Sequence, residues 1–244
     1  MFNKFKSQGS SDVQKSEDRL GGSQVFATGM YKALIKMLYF TESEGGAGFA
    51  NIKLEIDGKD YSERFLISNK KGENFWTKDG KSSFFDGFLT LDAICLMTTE
   101  EDFSSLLNDI EEKSVKVWNS ETRSEVNTEV PVLMPVIGQT IDVLLVHKKA
   151  NKQKKNNDGV YENINEAREF NEIVKVLADD GRTVNEITDE MQEAVFAPKW
   201  LERWDGKVMD TFKEVEGTGT SGRPSPNKAG GGKGRSSSMF NKKR

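Results

Sequence analysis

At Asp57-Gly58-Lys59 the chain turns back on itself, and this turn narrows what it can fold into more than any other feature. Ile52, Leu54 and Ile56 alternate with Lys53, Glu55 and Asp57 on the way in, and Tyr61 to Ile67 returns on the way out. A period of two puts one set of side chains on one face of a strand, and Asp-Gly supplies the positive φ angles of a tight hairpin. Residues 51–68 therefore read as an antiparallel hairpin. Met30 to Phe40 alternates too, with Lys32 and Lys36 opposed to Tyr31, Ala33, Ile35, Met37 and Tyr39, which predicts a strand with one buried face. Asp-Gly-Lys recurs at 79–81 and 205–207, as turn chemistry does.

The remaining pattern predicts a mainly β chain with added helices. Phe88 to Thr98 carries apolar residues at helical spacing with Thr90 as cap, and Glu100 to Asp109 adds a further helical turn. Strands follow at 113–118 and 126–130, then an apolar turn bracketed by Pro131 and Pro135, then strands at 140–146 and 168–177. Trp118 has a ring that could stack a base, but on a strand beside Val115 and Val117 it reads as a half-buried residue. Thr188 caps a helix that runs to Trp204 and breaks at Pro198, with Trp200 and Trp204 one turn apart to pack it onto the sheet. Cys95 is the sole cysteine and His147 the sole histidine, which excludes the usual structural zinc sites and a histidine-centred triad. No cofactor or metal is expected. No run reaches the roughly 20 apolar residues of a membrane span, and the first residues lack a secretory signal, so a cytoplasmic protein is expected.

Function is signalled between Phe65 and Leu96, where Phe75, Trp76, Phe84 and Phe85 are interleaved with Lys70, Lys71, Lys78 and Lys81 among turn formers. Rings offer faces for stacking bases, and ammonium groups meet the phosphates between them. The plainer reading is that the rings close one end of a β core while the lysines stay solvated. A second basic run, HKKANKQKK, holds Lys148, Lys149, Lys152, Lys154 and Lys155 and reads as a loop joining two strands; such a run is commonly a solvated face, but its density here points to contact with DNA phosphates. From Gly217 to Arg244 the chain carries seven basic residues and no acid, so with a whole-chain charge of −4 the body up to Glu216 carries −11. An acidic body with basic loops and a basic tail points to a polyanion held along a groove.

The ordered strings GENFWTKDGK, FFDGFLTLDAICLMTT, VPVLMPVIGQTIDVLLVHKKANKQKKNNDGVYE, REFNEIVKVLADDGRTVNEI and FAPKWLERWDGK resemble single-stranded DNA-binding proteins of tailed bacteriophages. The resemblance spans roughly residues 20 to 210. It implies an OB-fold, a five-stranded Greek-key barrel elaborated by helices, that coats single strands in phage replication, recombination and repair. The DNA-binding domain is expected over 21–180 with a helical extension over 181–212, while composition alone predicts a mobile arm over 1–20 and a disordered Gly/Ser-rich basic tail over 213–244. Single-stranded DNA is the implied partner, with phage replication proteins and self-association as further partners. The tail departs from the pattern, since replicative single-strand binders commonly end in an acidic tail and this chain ends GGGKGRSSSMFNKKR. Met239-Phe240-Asn241-Lys242 repeats Met1-Phe2-Asn3-Lys4, which reads as coincidence in so short a string. Two alternatives stand beside this reading: a metal-dependent nuclease acting through Glu55, Asp57 and Lys59, and a scaffold protein that binds through its basic tail alone.

Overall fold

The computed structural model describes residues 25–119, 122, 124–156 and 159–215, and within them the chain is mainly β with a few helices. β1 (Gly29–Glu42) pairs antiparallel with β2 (Gly48–Ile56), which turns into β3 (Lys59–Ser68). Asp57 and Gly58 have φ of 51° and 71°, the two left-handed residues a two-residue hairpin turn requires, so the hairpin read from the sequence is present. In β1 the alternation holds only as far as Ile35. Register shifts between Ile35 and Met37, leaving Lys36 as an unpaired bulge residue. A single extra residue exchanges the two faces of a strand, so Leu38 and not Met37 enters the core.

After β3, the short strands β4 (Phe75–Lys78) and β5 (Lys81–Phe84) form a separate hairpin around Asp79-Gly80. Helix α1 (Asp86–Thr99) follows directly and buries Leu91, Ile94 and Cys95. Thr90 is not its cap: Phe85 occupies that position, and the Thr90 hydroxyl donates back to the Asp86 carbonyl inside the helix. Gly87 has a packing role, because a Cβ there would lie 2.4 Å from the Leu66 carbonyl oxygen. Its absence lets the start of α1 sit against β3. Glu100 ends α1 in a left-handed conformation with φ of 62°, so the second helical segment expected to 109 shrinks to one tight turn at Leu107–Asp109.

β6 (Ile110–Asn119) and β7 (Ser124–Leu133) form a long hairpin, and β7 runs through Pro131, which the sequence reading placed in a turn. β8 (Thr140–Lys155) pairs with β1 and then continues far past it, matched by β9 (Tyr161–Leu177). The basic run 148–155 is therefore strand and not loop, because β9 supplies its ladder to the end. β10 (Val208–Asp210) runs parallel to β8 at His147 to Lys149, taking over the edge that β1 leaves at Leu145. Thr28 joins the pieces: its hydroxyl accepts from the His147 amide and donates to the Lys207 carbonyl.

The helix expected from Thr188 to Trp204 is two helices. In α2 (Val184–Thr188), Thr183 and Glu186 form a capping box and Thr188 stands at the far end. α3 (Phe196–Trp204) holds Pro198 in its first turn, where a missing amide proton costs no helical bond. Glu186 Oε1 accepts from the Val195 and Phe196 amides and so ties the start of α3 to α2. Trp200 packs α3 onto Leu144 and Leu177, as the spacing predicts. The arm over 1–20 and the tail beyond Val215 lie outside the described residues.

The hydrogen-bonded path runs β9-β8-β1-β2-β3 and does not close, since β3 and β9 share no ladder. One side chain spans the gap. Glu63 Oε2 of β3 accepts from the Tyr61 hydroxyl at 2.5 Å and from the Ile173 amide of β9 at 2.9 Å. Burial pushes the Glu63 carboxyl up to about 7, against the opposing pull of those two hydrogen bonds. The folded protein thus keeps this proton to about pH 7, while the unfolded chain releases it near the ordinary value of 4.5. Stability contributed by the neutral acid is complete at low pH and is lost as pH rises through 7, by roughly 3 kcal/mol at most. Thermal melts at pH 5 and pH 8 test this: the native protein loses stability on going up, and Glu63→Gln loses distinctly less.

Candidate nucleic-acid interface

The β4–β5 hairpin carries most of the rings singled out in the sequence. Its register places Phe75 opposite Phe84, Trp76 opposite Ser83, Thr77 opposite Ser82 and Lys78 opposite Lys81. Paired residues share a face and successive residues alternate, so Phe75 and Phe84 lie on one face and Trp76, Lys78 and Lys81 on the other. All three rings remain open to solvent, Phe75 at 37%, Trp76 at 44% and Phe84 at 51% relative exposure. Lys78 and Lys81 are exposed, and neither forms an ion pair among the described residues. Trp76 thus shares its face with two uncompensated ammonium groups.

Phe85 stands apart from the other three. It precedes α1, is half-buried, and lines a cavity of about 320 Å³ with Glu63, Phe65, Gly87 and Ile173. Lys70 and Lys71 are exposed on the turn before β4, which Asn69 shapes by accepting the Lys71 and Glu73 amides on Oδ1. The rings also continue inward: Phe84 lies 5.4 Å from Phe88, Phe88 6.3 Å from Phe103, and Phe103 5.5 Å from Phe40.

The second basic run differs in kind. Lys148 binds Glu172 at 2.7 Å, Lys149 binds Asp210 at 3.1 Å and Lys152 binds Glu166 at 3.0 Å. Lys155 lies 5.9 Å over the Tyr161 ring, and Lys154 is exposed. Of the five lysines, three are thus already neutralised by carboxylates from β9 and β10. The structure brings Lys70, Lys71, Phe75, Trp76, Lys78, Lys81 and Phe84 together around the start of α1, and sets Lys148, Lys149, Lys152, Lys154 and Lys155 on the β8–β9 arm.

Further candidates lie outside the hairpin. Trp118 on β6 is 63% exposed and not half-buried, because it sits near the free end of the β6–β7 arm. On the outer face of β1, β2 and β3 stand Tyr39, Phe49, Asn51, Lys53 and Arg64, with the Arg64 guanidinium 3.6 Å over the Phe49 ring and Lys53 Nζ 6.0 Å from the Tyr39 ring. The sequence signal for them is the outward parity of the first hairpin, Asn51 and Lys53 alternating with Ile52 and Leu54. Of the nuclease candidates, Glu55 accepts from Lys36 at 3.4 Å, Asp57 is in the turn, and Lys59 pairs with the inward-facing Ile56 while Glu55 pairs with Asp60. Among the described residues no three acidic, histidine or cysteine side chains gather in a way that could hold a metal ion, and no helix is long and apolar enough to cross a membrane.

Comparison with known proteins assigns no family, since no protein-family model matches the chain and no curated protein matches it. The geometry therefore carries the functional reading. Exposure separates the rings by expected cost. Trp76→Ala changes unfolding free energy by less than about 0.5 kcal/mol, as a surface substitution does, whereas Phe85→Ala costs more than about 1 kcal/mol by opening the cavity beside Gly87. Denaturant unfolding of the two variants against the native chain checks both.

Proposed function

We propose that this chain is a single-stranded DNA-binding protein of the kind encoded by tailed bacteriophages, a non-enzymatic module that coats single strands during replication, recombination and repair. The observation that carries the reading is the β4–β5 hairpin, whose Trp76 is open to solvent on the same face as Lys78 and Lys81, two lysines with no ion pair among the described residues. Base stacking on such a ring is worth ~1–3 kcal/mol and accepts any base, so binding is largely independent of sequence. Lys70 and Lys71 on the adjoining turn extend the charge.

The order of strands supports the finer fold reading. A three-strand meander, then a helix, then two strands that return along the other side of the first is the order of a partly open OB barrel. Here the opening lies between β3 and β9, where Glu63 and α1 stand in place of a ladder. The outer face of β2 and β3, with Phe49, Lys53 and Arg64, belongs to the same surface in this reading, while Tyr39 of β1 is covered by the β6–β7 arm.

Fluorescence anisotropy with a labelled dT oligomer tests the proposal. The native chain binds with an affinity that falls with log salt at about −0.7 per phosphate neutralised. Trp76→Ala weakens binding roughly tenfold, within the range of one stacking contact, at unchanged melting temperature. Replacing Lys78 and Lys81 together by alanine lowers the salt slope, while replacing Lys148 and Lys149 moves it less because their charge is already compensated. Binding that disappears on truncation at Gly217 assigns it to the tail instead, and DNA cut in magnesium assigns the chain to nucleases.

A further inference from the structure

A cleft of about 500 Å³ opens where the far ends of β1 and β2 meet the root of the β6–β7 arm. Phe40, Phe49 and Phe103 line it with Ile67, Ile110 and Pro131, and the polar lining is Thr41 and Glu42. Three rings around an open space of this size suit a flat aromatic ligand. The surroundings indicate which one. Arg64 lies 3.6 Å over the outer ring, Phe49, with no ion pair among the described residues. On the Gly48 side, the loop at Gly46 rests against the backbone of Lys70, which brings the turn bearing Lys70 and Lys71 alongside the cleft. Glu42 is the one acid in the lining, so an anionic backbone passes on the Arg64 and Lys70 sides. Phe103 and Phe40 also end the line of rings that begins at Phe84 on the exposed hairpin.

We propose that this cleft holds one unstacked nucleobase of a bound single strand, with its phosphates on Arg64 and the Lys70–Lys71 turn. This rests on the reading of the chain as a single-strand binder and adds a second base site, connected to the hairpin by the Phe84–Phe88–Phe103 rings. Apolar walls with few hydrogen-bonding groups accept any base, so the site lengthens the footprint without adding sequence preference. An apolar side chain of a peptide would fill the same volume, but it has no use for the cationic rim.

The test is photocrosslinking of the full chain to an oligomer of 5-iododeoxyuridine, with adducts mapped by mass spectrometry, alongside an Ile67→Trp variant that fills the cleft. Two sets of adducts are expected, one on the peptide with Trp76 and Phe84 and one on Phe49 or Phe103. Ile67→Trp abolishes the second set, keeps the first, and weakens binding about tenfold at native melting temperature. If that variant does not fold, Phe49→Leu takes its place, with the same loss expected. Adducts confined to the hairpin, or unchanged affinity in a folded variant, overturn the cleft proposal and leave the single-strand reading standing. A cleft that answers to a Met-Phe-Asn-Lys peptide and not to the oligomer overturns it in favour of the chain's own ends. Absence of any binding removes both.

Discussion

One unpaired residue in β1 lets that strand serve two packed regions, the main core and the core of the β6–β7 arm. Before Lys36, Ala33 and Ile35 face the main core with Ile52, Leu54 and Ile56. After it, Leu38 remains in that core while Tyr39 turns outward to pack with Val115, Val130 and Val132 of the β6–β7 arm. An unbroken alternation would place residues 37 and 39 inside and leave the arm with no ring to rest on. Along its other edge β1 meets β8 as far as Leu34, the 138–139 turn at Ile35, and β7 at Tyr39. The bulge thus lets one strand serve as edge partner to two hairpins that diverge. The exposed position of Trp118 and the site of the aromatic cleft both follow from that divergence.

The β3–β9 seam is the second constraint, and it accounts for the place of α1. A sheet whose end strands come close without pairing leaves main-chain groups that need partners. Glu63 supplies one acceptor to Ile173, and Gly87 brings α1 close enough to cover the rest. Putting a carboxyl there carries a cost, since burial favours its neutral form. The β4–β5 hairpin is inserted between β3 and α1, so the same close approach that seals the seam fixes the root of the exposed rings. Phe85 shows the transition: its amide donates to the Asn74 carbonyl at the base of the hairpin, while its ring faces the seam cavity.

What could be read from the chain in advance was what local chemistry determines. Asp57-Gly58 and Asp79-Gly80 set their turns through backbone conformation alone, and the parity of β2 set its buried face. Long-range partners were not legible. The 148–155 run has no acid within it and so reads as a basic loop free to meet phosphates, yet Glu172, Asp210 and Glu166 reach it from β9 and β10. The bulge at Lys36 left no mark, since Lys36 is exposed on either parity and pairs with Glu55 and Asp60 from the neighbouring hairpin. Thr188 and Pro198 were assigned to one helix because a threonine at the end of one helix and at the start of the next look alike in sequence. Thr183, with Glu186 three residues on, was the true capping signal.

The rings of the β4–β5 hairpin are where folding and binding make different demands. A two-stranded hairpin is marginal by itself, and strands this short bury little of their own surface. Its Phe75 and Phe84 face gains support through Phe88, which carries the hairpin on α1. The opposite face carries Trp76, 44% exposed, with Lys78 and Lys81 beside each other on the turn side of it. The two sets of lysines sharpen the contrast, for the chain provides acids to Lys148, Lys149 and Lys152 but none, among the described residues, to Lys78 and Lys81. Compensated cations hold an arm together. Uncompensated ones beside an open ring leave their charge available to a polyanion, and this difference in pairing, more than the number of lysines, locates the interface on the hairpin.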